Sequence, residues 1–196
     1  MSEDIRTTKT KAKIKNAFLE LLKDYTYEHI SVTDIANKAD INRVTFYTHY
    51  IDKACLLSDL LEDIKKNFIT STIQHANNIN TDDNLVKYSI SLVNALLDIA
   101  LINKDLIAIL SHKENAVIAK LIEEQTKCFI ENSLNKIHAN NQFKYPLRHI
   151  TAFTVPAFMA LIINYISEPN PMPLEQFRSN LVEITENFVK ANIFTK

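Results

Sequence analysis

Apolar residues recur at helical spacing along most of the chain, and that spacing predicts the elements. Ile14, Ala17, Phe18, Leu21 and Leu22 form one stripe and predict a first helix from about Thr10 to Asp24. Tyr27 and Ile30 follow as core plugs. Leu56, Leu57, Leu60, Leu61, Ile64 and Phe68 predict a long helix that opens at an N-cap on Asp52, with Ile51 as the hydrophobic residue before the cap, and that runs to about His75. The polar run from Asn77 to Asn84 predicts a loop. Beyond it, Leu85 to Ile102, Lys104 to Leu110, Asn115 to Ile137, Tyr145 to Ile166 and Pro173 to Phe194 each carry helical periodicity. Pro146 and Pro173 suit first-turn positions, whereas Pro156 lies inside its helix, where it should kink the axis or remove one backbone hydrogen bond. The segment Glu168 to Pro173 is a stiff connector.

Composition supports an all-α reading. The 196 residues contain no Gly and five Pro, which disfavours tight hairpins, and a hydrophobic content of 46% fills a sizeable core. Without Gly there is no Gly-rich phosphate loop and no dinucleotide fingerprint, so many nucleotide-dependent enzymes are disfavoured. The net charge of −1 argues against a uniformly basic surface, yet Arg6, Lys9, Lys11, Lys13 and Lys15 come without an intervening acid and form a basic arm beside the next motif. Cys55 and Cys128 follow no metal spacing and read as buried thiols in a reducing compartment. His75, His112, His138 and His149 are scattered without a nucleophile or carboxylate at a telling distance, so no catalytic site, metal or cofactor is expected. The start of the chain is polar and basic, unlike a signal peptide. The longest apolar run, Ala152 to Ile163, falls short of a bilayer span, so a cytoplasmic protein is expected.

The segment from Ser31 to Lys53 carries the function. Ser31 and Asp34 form a capping-box variant that starts a short helix with Ile35, Ala36 and Ala39 on its apolar face. Asp40 falls where the turn needs a left-handed residue. Asn42 caps a second helix in which Phe46, Tyr47 and Tyr50 recur at helical spacing, while Arg43, Thr45, Thr48 and His49 face outward. Two short helices joined by a tight turn, with the polar start of the second exposed, describe a helix-turn-helix that fits the major groove. Val32, Asp34, Ile35, Ala36, Ala39, Ile41, Arg43, Thr45, Tyr47, His49, Asp52, Lys53 and Leu56 follow a longer pattern, and over residues 10 to 60 the chain resembles the TetR family of transcriptional regulators. Ser31 replaces the usual Thr, Asp40 the usual Gly and Tyr50 the usual Phe, and Val44 stands where a small residue is common.

On this reading Arg43 is the candidate for pairing with a guanine edge, Thr45 for meeting a thymine methyl and Asn42 for reading adenine if its capping role leaves the side chain free. Tyr47 and His49 resemble the family's phosphate-contacting pair. Lys53 adds a cation, Thr33 is a further phosphate candidate, and Thr48 completes the outward face. The resemblance implies a three-helix helix-turn-helix head, residues 1–53, joined to an α-helical ligand-binding and dimerisation domain, residues 54–196, with the helix after Lys53 linking them. The last two helices are apolar over more than one face. The family's four-helix interface accounts for that excess and implies a homodimer through Phe158, Ile162, Leu181 and Phe188, which suits a palindromic operator of double-stranded DNA; the alternative is burial of these faces within one subunit. The stretch FTVPAFMALIINYISEP is also similar to regulators of dihydroxyacetone utilisation. The expected protein is a repressor released by a small-molecule or protein effector. Its rivals are a ligand-free architectural or division-control protein on DNA, and an all-α enzyme or carrier.

Overall fold

A computed structural model describes residues 2–76, 85–111, 116–137 and 143–192. Among the described residues the chain folds into nine α-helices and one 3-10 turn, with no strand: α1 (Ser2–Asp24), the turn Tyr27–His29, α2 (Val32–Lys38), α3 (Arg43–His49), α4 (Lys53–Ala76), α5 (Leu85–Ile102), α6 (Lys104–Ser111), α7 (Ala116–Ile137), α8 (Leu147–Ser167) and α9 (Leu174–Asn192). The expected loop from Asn77 to Asn84, with His112 and His138, lies outside the described residues.

The chain divides into two compact units, Met1–Ile64 with Asp105–Ala119, and Lys65–Lys104 with Lys120–Lys196. The first contains the whole helix-turn-helix. Ile14, Phe18 and Leu22, one turn apart on α1, are buried with Ile35 of α2, Phe46 of α3 and Leu56 of α4, so four short or amphipathic helices that would be marginal alone share one core. α1 starts well before Thr10. The basic arm is therefore helical, and part of it is internally paired: Lys15 bonds Asp63 and lies 3.0 Å from Asp59, which Lys11 approaches at 3.6 Å. Arg6, Lys9 and Lys13 stay exposed. Tyr50 is buried and donates to Asp59 at 2.8 Å; burial and this carboxylate hold its phenol far above the ordinary tyrosine range.

The second unit is a helical bundle. α5 packs on α9 and α8, burying Leu92, Val93 and Leu97 with Val155, Phe158 and Ile162 of α8 and Phe177 and Leu181 of α9. Tyr165 and Phe177 stack with centroids 3.9 Å apart, and the Tyr165 hydroxyl donates to the Met172 carbonyl at 3.0 Å, which fastens the proline-rich connector to α8. Pro156 sits inside α8 without ending it. At the far end of α9, Lys144 donates its backbone N–H to the Asn192 carbonyl and its ammonium to the Ala191 carbonyl, satisfying orphan acceptors at the negative end of the helix dipole. By length and composition alone α5 and α8 are long and apolar enough to cross a membrane, longer than the uncharged run from Ala152 to Ile163 suggests; in this unit the two pack against each other, each with part of its surface exposed.

Two further sequence expectations fail in the fold. Cys55 and Cys128 are exposed free thiols: Cys55 lies on the solvent side of α4, and the adjacent Leu56 and Leu57 turn inward. Asp52 does cap α4 by accepting from the Cys55 N–H at 2.7 Å, but Ile51 is 82% exposed and staples nothing.

Candidate nucleic-acid interface

Local hydrogen bonds fix the starts of α2 and α3 and the turn between them. Ser31 Oγ accepts from the Asp34 N–H at 3.2 Å while Asp34 Oδ2 accepts from the Ser31 N–H at 2.9 Å, a reciprocal box at the start of α2. The hydrogen bonds from Ser31 hold the Asp34 carboxyl below its ordinary value. α2 ends in a Schellman motif: the Asp40 N–H donates to Asn37 O and the Ile41 N–H to Ala36 O. Asp40 sits at φ 52°, the single positive-φ residue among those described. A glycine-free chain has thus placed there one of the few side chains that tolerate the left-handed region.

Asn42 then caps α3. Its Oδ1 accepts from the Thr45 N–H at 2.7 Å and from the Thr45 hydroxyl at 2.9 Å. Both lone pairs are committed, which removes the paired acceptor-and-donor geometry that reading adenine requires, so the expected adenine contact by Asn42 does not stand. The same bond ties down the Thr45 hydroxyl and leaves its methyl for a base. Thr48 donates to the Thr45 carbonyl at 2.7 Å. Arg43 is exposed in the first turn, its guanidinium 6.0 Å from the Tyr47 ring. Tyr47 leans its edge on buried Phe46, centroids 5.6 Å apart, and keeps about half its surface in solvent. Thr33 is exposed on α2 and His49 partly exposed at the end of α3. Val44, given no role from sequence, is 72% exposed beside Arg43; an apolar side chain on an otherwise polar reading face is the signal that could have marked it.

Lys53 requires a correction. Its ammonium donates to three carbonyls, of Tyr27 at 2.6 Å, Ile30 at 2.8 Å and Glu28 at 3.2 Å, and lies 4.4 Å over the Tyr27 ring. All three N–H donors are directed inward, so a phosphate contact through this ammonium is replaced by a clamp that fastens the Tyr27–His29 turn to α4. Of the side chains expected at a dimer interface, Phe158, Ile162 and Leu181 are buried within the chain and Phe188 is partly buried, stacked on Phe153 at 6.0 Å. The outward apolar side chains of α8 and α9 are instead Phe153, Leu161 and Ile184, at 67%, 40% and 47% exposure.

No family model matches the chain. The HTH-type transcriptional regulator YxbF of Bacillus subtilis strain 168 is 42% identical over 55 residues, or 28% of this chain, and the match spans 14% of that protein. Solved structures agree along nearly the full length. A TetR-family transcription regulator from Marinobacter aquaeolei VT8 aligns over 100% of both chains at 15% identity with a TM-score of 0.69. A TetR transcriptional regulator from Streptococcus agalactiae 2603V aligns over 95% of this chain and 98% of its own at 22% identity and a TM-score of 0.58. The fatty acid degradation regulator FadR from Bacillus halodurans covers 89% and 93% at 14% identity, with a TM-score of 0.66. None of these three structures is named for dihydroxyacetone utilisation.

Proposed function

From the fold it shares with TetR-family transcriptional regulators, we propose that this protein is a DNA-binding regulator of that type: a cytoplasmic repressor that binds a palindromic operator as a homodimer and is released by a small-molecule effector. The observation that carries this reading is α3, a short helix held from behind by buried Phe46 and from its start by the Asn42 cap, with Arg43, Val44 and Thr45 projecting from its first turn. A rigid scaffold presenting base-contacting side chains from a helix start is the arrangement that enters the major groove. Tyr47, His49, Thr33 and the free cations Arg6, Lys9 and Lys13 supply phosphate contacts around it. Lys53 holds the scaffold.

The homodimer is proposed through Phe153, Leu161 and Ile184, because a second copy would bury apolar side chains that the subunit leaves in water. Residues 1–53 as the reading head and 54–196 as the regulatory part remain the functional division proposed. A cavity in the second unit supports a ligand-responsive regulator over a ligand-free architectural protein. The test is in vitro selection from random duplexes with the full-length protein. It should return one inverted repeat whose half-sites lie about one helical turn apart, roughly 34 Å. Recovery of sequences with no shared motif would refute the reading.

A further inference from the structure

The second unit holds a partly open cavity of about 70 Å³ between α5, α7, α8 and α9. Its wall is built from aliphatic and aromatic side chains, among them Leu92, Leu96, Val155 and Phe158. Among the described lining residues there is no Lys, Arg, His, Asp or Glu. A carboxylate, phosphate or ammonium entering it would lose its hydration with no countercharge to replace it.

The polar atoms in the wall narrow the chemistry further. Thr151 donates its hydroxyl to Glu131, Thr154 donates to Ile150 O at 2.8 Å and Thr185 to Leu181 O at 2.7 Å. The side-chain N–H of Asn192 donates to Phe188 O at 2.8 Å. The three threonine hydroxyls therefore keep an oxygen lone pair for a guest, and Asn192 keeps its second amide N–H and its carbonyl oxygen. Ser89 adds one rotatable hydroxyl. Such a wall, apolar over most of its area with a few acceptors and donors, is matched by a neutral guest whose one polar group both donates and accepts, as a hydroxyl does. Volume adds a constraint on size: the dry engineered cavity that admits benzene is roughly 150 Å³, about twice this one, so a chain of a few carbons fits and a longer one outgrows it.

We infer that this cavity binds a small uncharged aliphatic molecule with one hydroxyl, of the class of short-chain alkanols. The inference deepens the proposed effector response and rests on that reading only for its consequence at DNA; binding itself is a property of the cavity.

Isothermal titration of the full-length, DNA-free protein with the n-alkanols from propanol to hexanol, and with carboxylates of matched length at pH 7, tests it. Affinity should rise about fourfold per methylene, the equivalent of about 0.8 kcal/mol for each buried CH₂, until the chain outgrows the cavity, and each carboxylate should bind at least about tenfold more weakly than its alkanol. Thr154→Phe, whose ring would occupy the cavity, should abolish the heat. Phe158→Leu, which enlarges the cavity, should move the optimum to a longer chain and keeps the test decisive if the first variant does not fold. No saturable alkanol binding by the folded protein, equal binding of carboxylates, or an optimum unmoved by Phe158→Leu overturns the inference. Operator affinity measured separately distinguishes the two failures: alkanol binding by a protein that selects no DNA site removes the regulator reading and leaves the cavity assignment standing.

Discussion

Replacing Lys53 by Met separates a structural clamp from a phosphate ligand, because methionine keeps an unbranched stem and removes the charge. In the folded chain the ammonium makes two short hydrogen bonds, 2.6 and 2.8 Å, and a longer one of 3.2 Å, all to backbone carbonyls of the Tyr27–Ile30 segment, and it sits over the Tyr27 ring. A hydrogen bond from a charged donor contributes about 1.5–3 kcal/mol net, less the roughly 2 kcal/mol of side-chain entropy lost in ordering a lysine. Three such bonds sharing one cation are not additive, so a loss of about 2–4 kcal/mol is expected. With a urea slope of about 2 kcal/mol per molar, the unfolding midpoint should fall by roughly 1–2 M. The companion assay is operator affinity against salt. A lysine neutralising a phosphate contributes about one unit to the slope of log affinity on log salt, and its loss should flatten the line by that amount. The geometry predicts an unchanged slope at salt and temperature where the variant is folded. A slope reduced by one unit with an unmoved urea midpoint would refute the clamp.

Asp40→Gly should leave stability unchanged or raise it by up to about 1 kcal/mol, whereas Asp40→Val should lower it by about 1–2 kcal/mol in the same melts, because only the second puts a β-branched residue at φ 52°; equal midpoints would contradict the strain argument. Leu161→Glu should give folded monomers by light scattering with operator affinity lowered by far more than one contact explains, while Leu181→Glu, which charges a site only 2% exposed, should unfold the chain; a Leu161→Glu dimer would move the interface elsewhere. Burial pushes the Asp98 carboxyl up, and hydrogen bonds from His75 and Arg178 reverse this and hold it below its ordinary value. A depressed folded value means that the contribution is complete above about pH 4 and is lost as pH falls through the folded value. Arg178→Met should therefore raise the Asp98 midpoint in a carboxyl NMR titration, and an unmoved midpoint would show that Arg178 does not act on it.

What the sequence made legible were features whose causes are local. The Ser31–Asp34 box, the Asn42 cap and the left-handed Asp40 each depend on residues within three or four positions, so their pattern and their geometry coincide. The helices of the second unit were legible to within a few residues for the same reason, since periodicity is local. α1 was read too short because Ser2 to Lys9 carries no apolar stripe to mark it. Lys53 was misread because nothing near it in sequence announces three carbonyls converging from 23 to 26 residues earlier. Lys15 is similar, as its partner Asp63 lies 48 residues away. On α8 and α9 the excess of apolar residues was visible, but a helix apolar on several faces does not reveal which face meets its own subunit. The structure turns Phe158, Ile162 and Leu181 inward and Phe153, Leu161 and Ile184 outward.

Base readout is assigned to the first turn of α3. Affinities of the wild type and Arg43→Ala for the selected operator and for a random duplex, at one salt concentration, test it most directly. Arg43→Ala should lose about 1–3 kcal/mol on the operator, a factor of roughly 5 to 150, with little change on the random duplex. Equal losses on both duplexes would make Arg43 a phosphate contact and contradict base readout from α3.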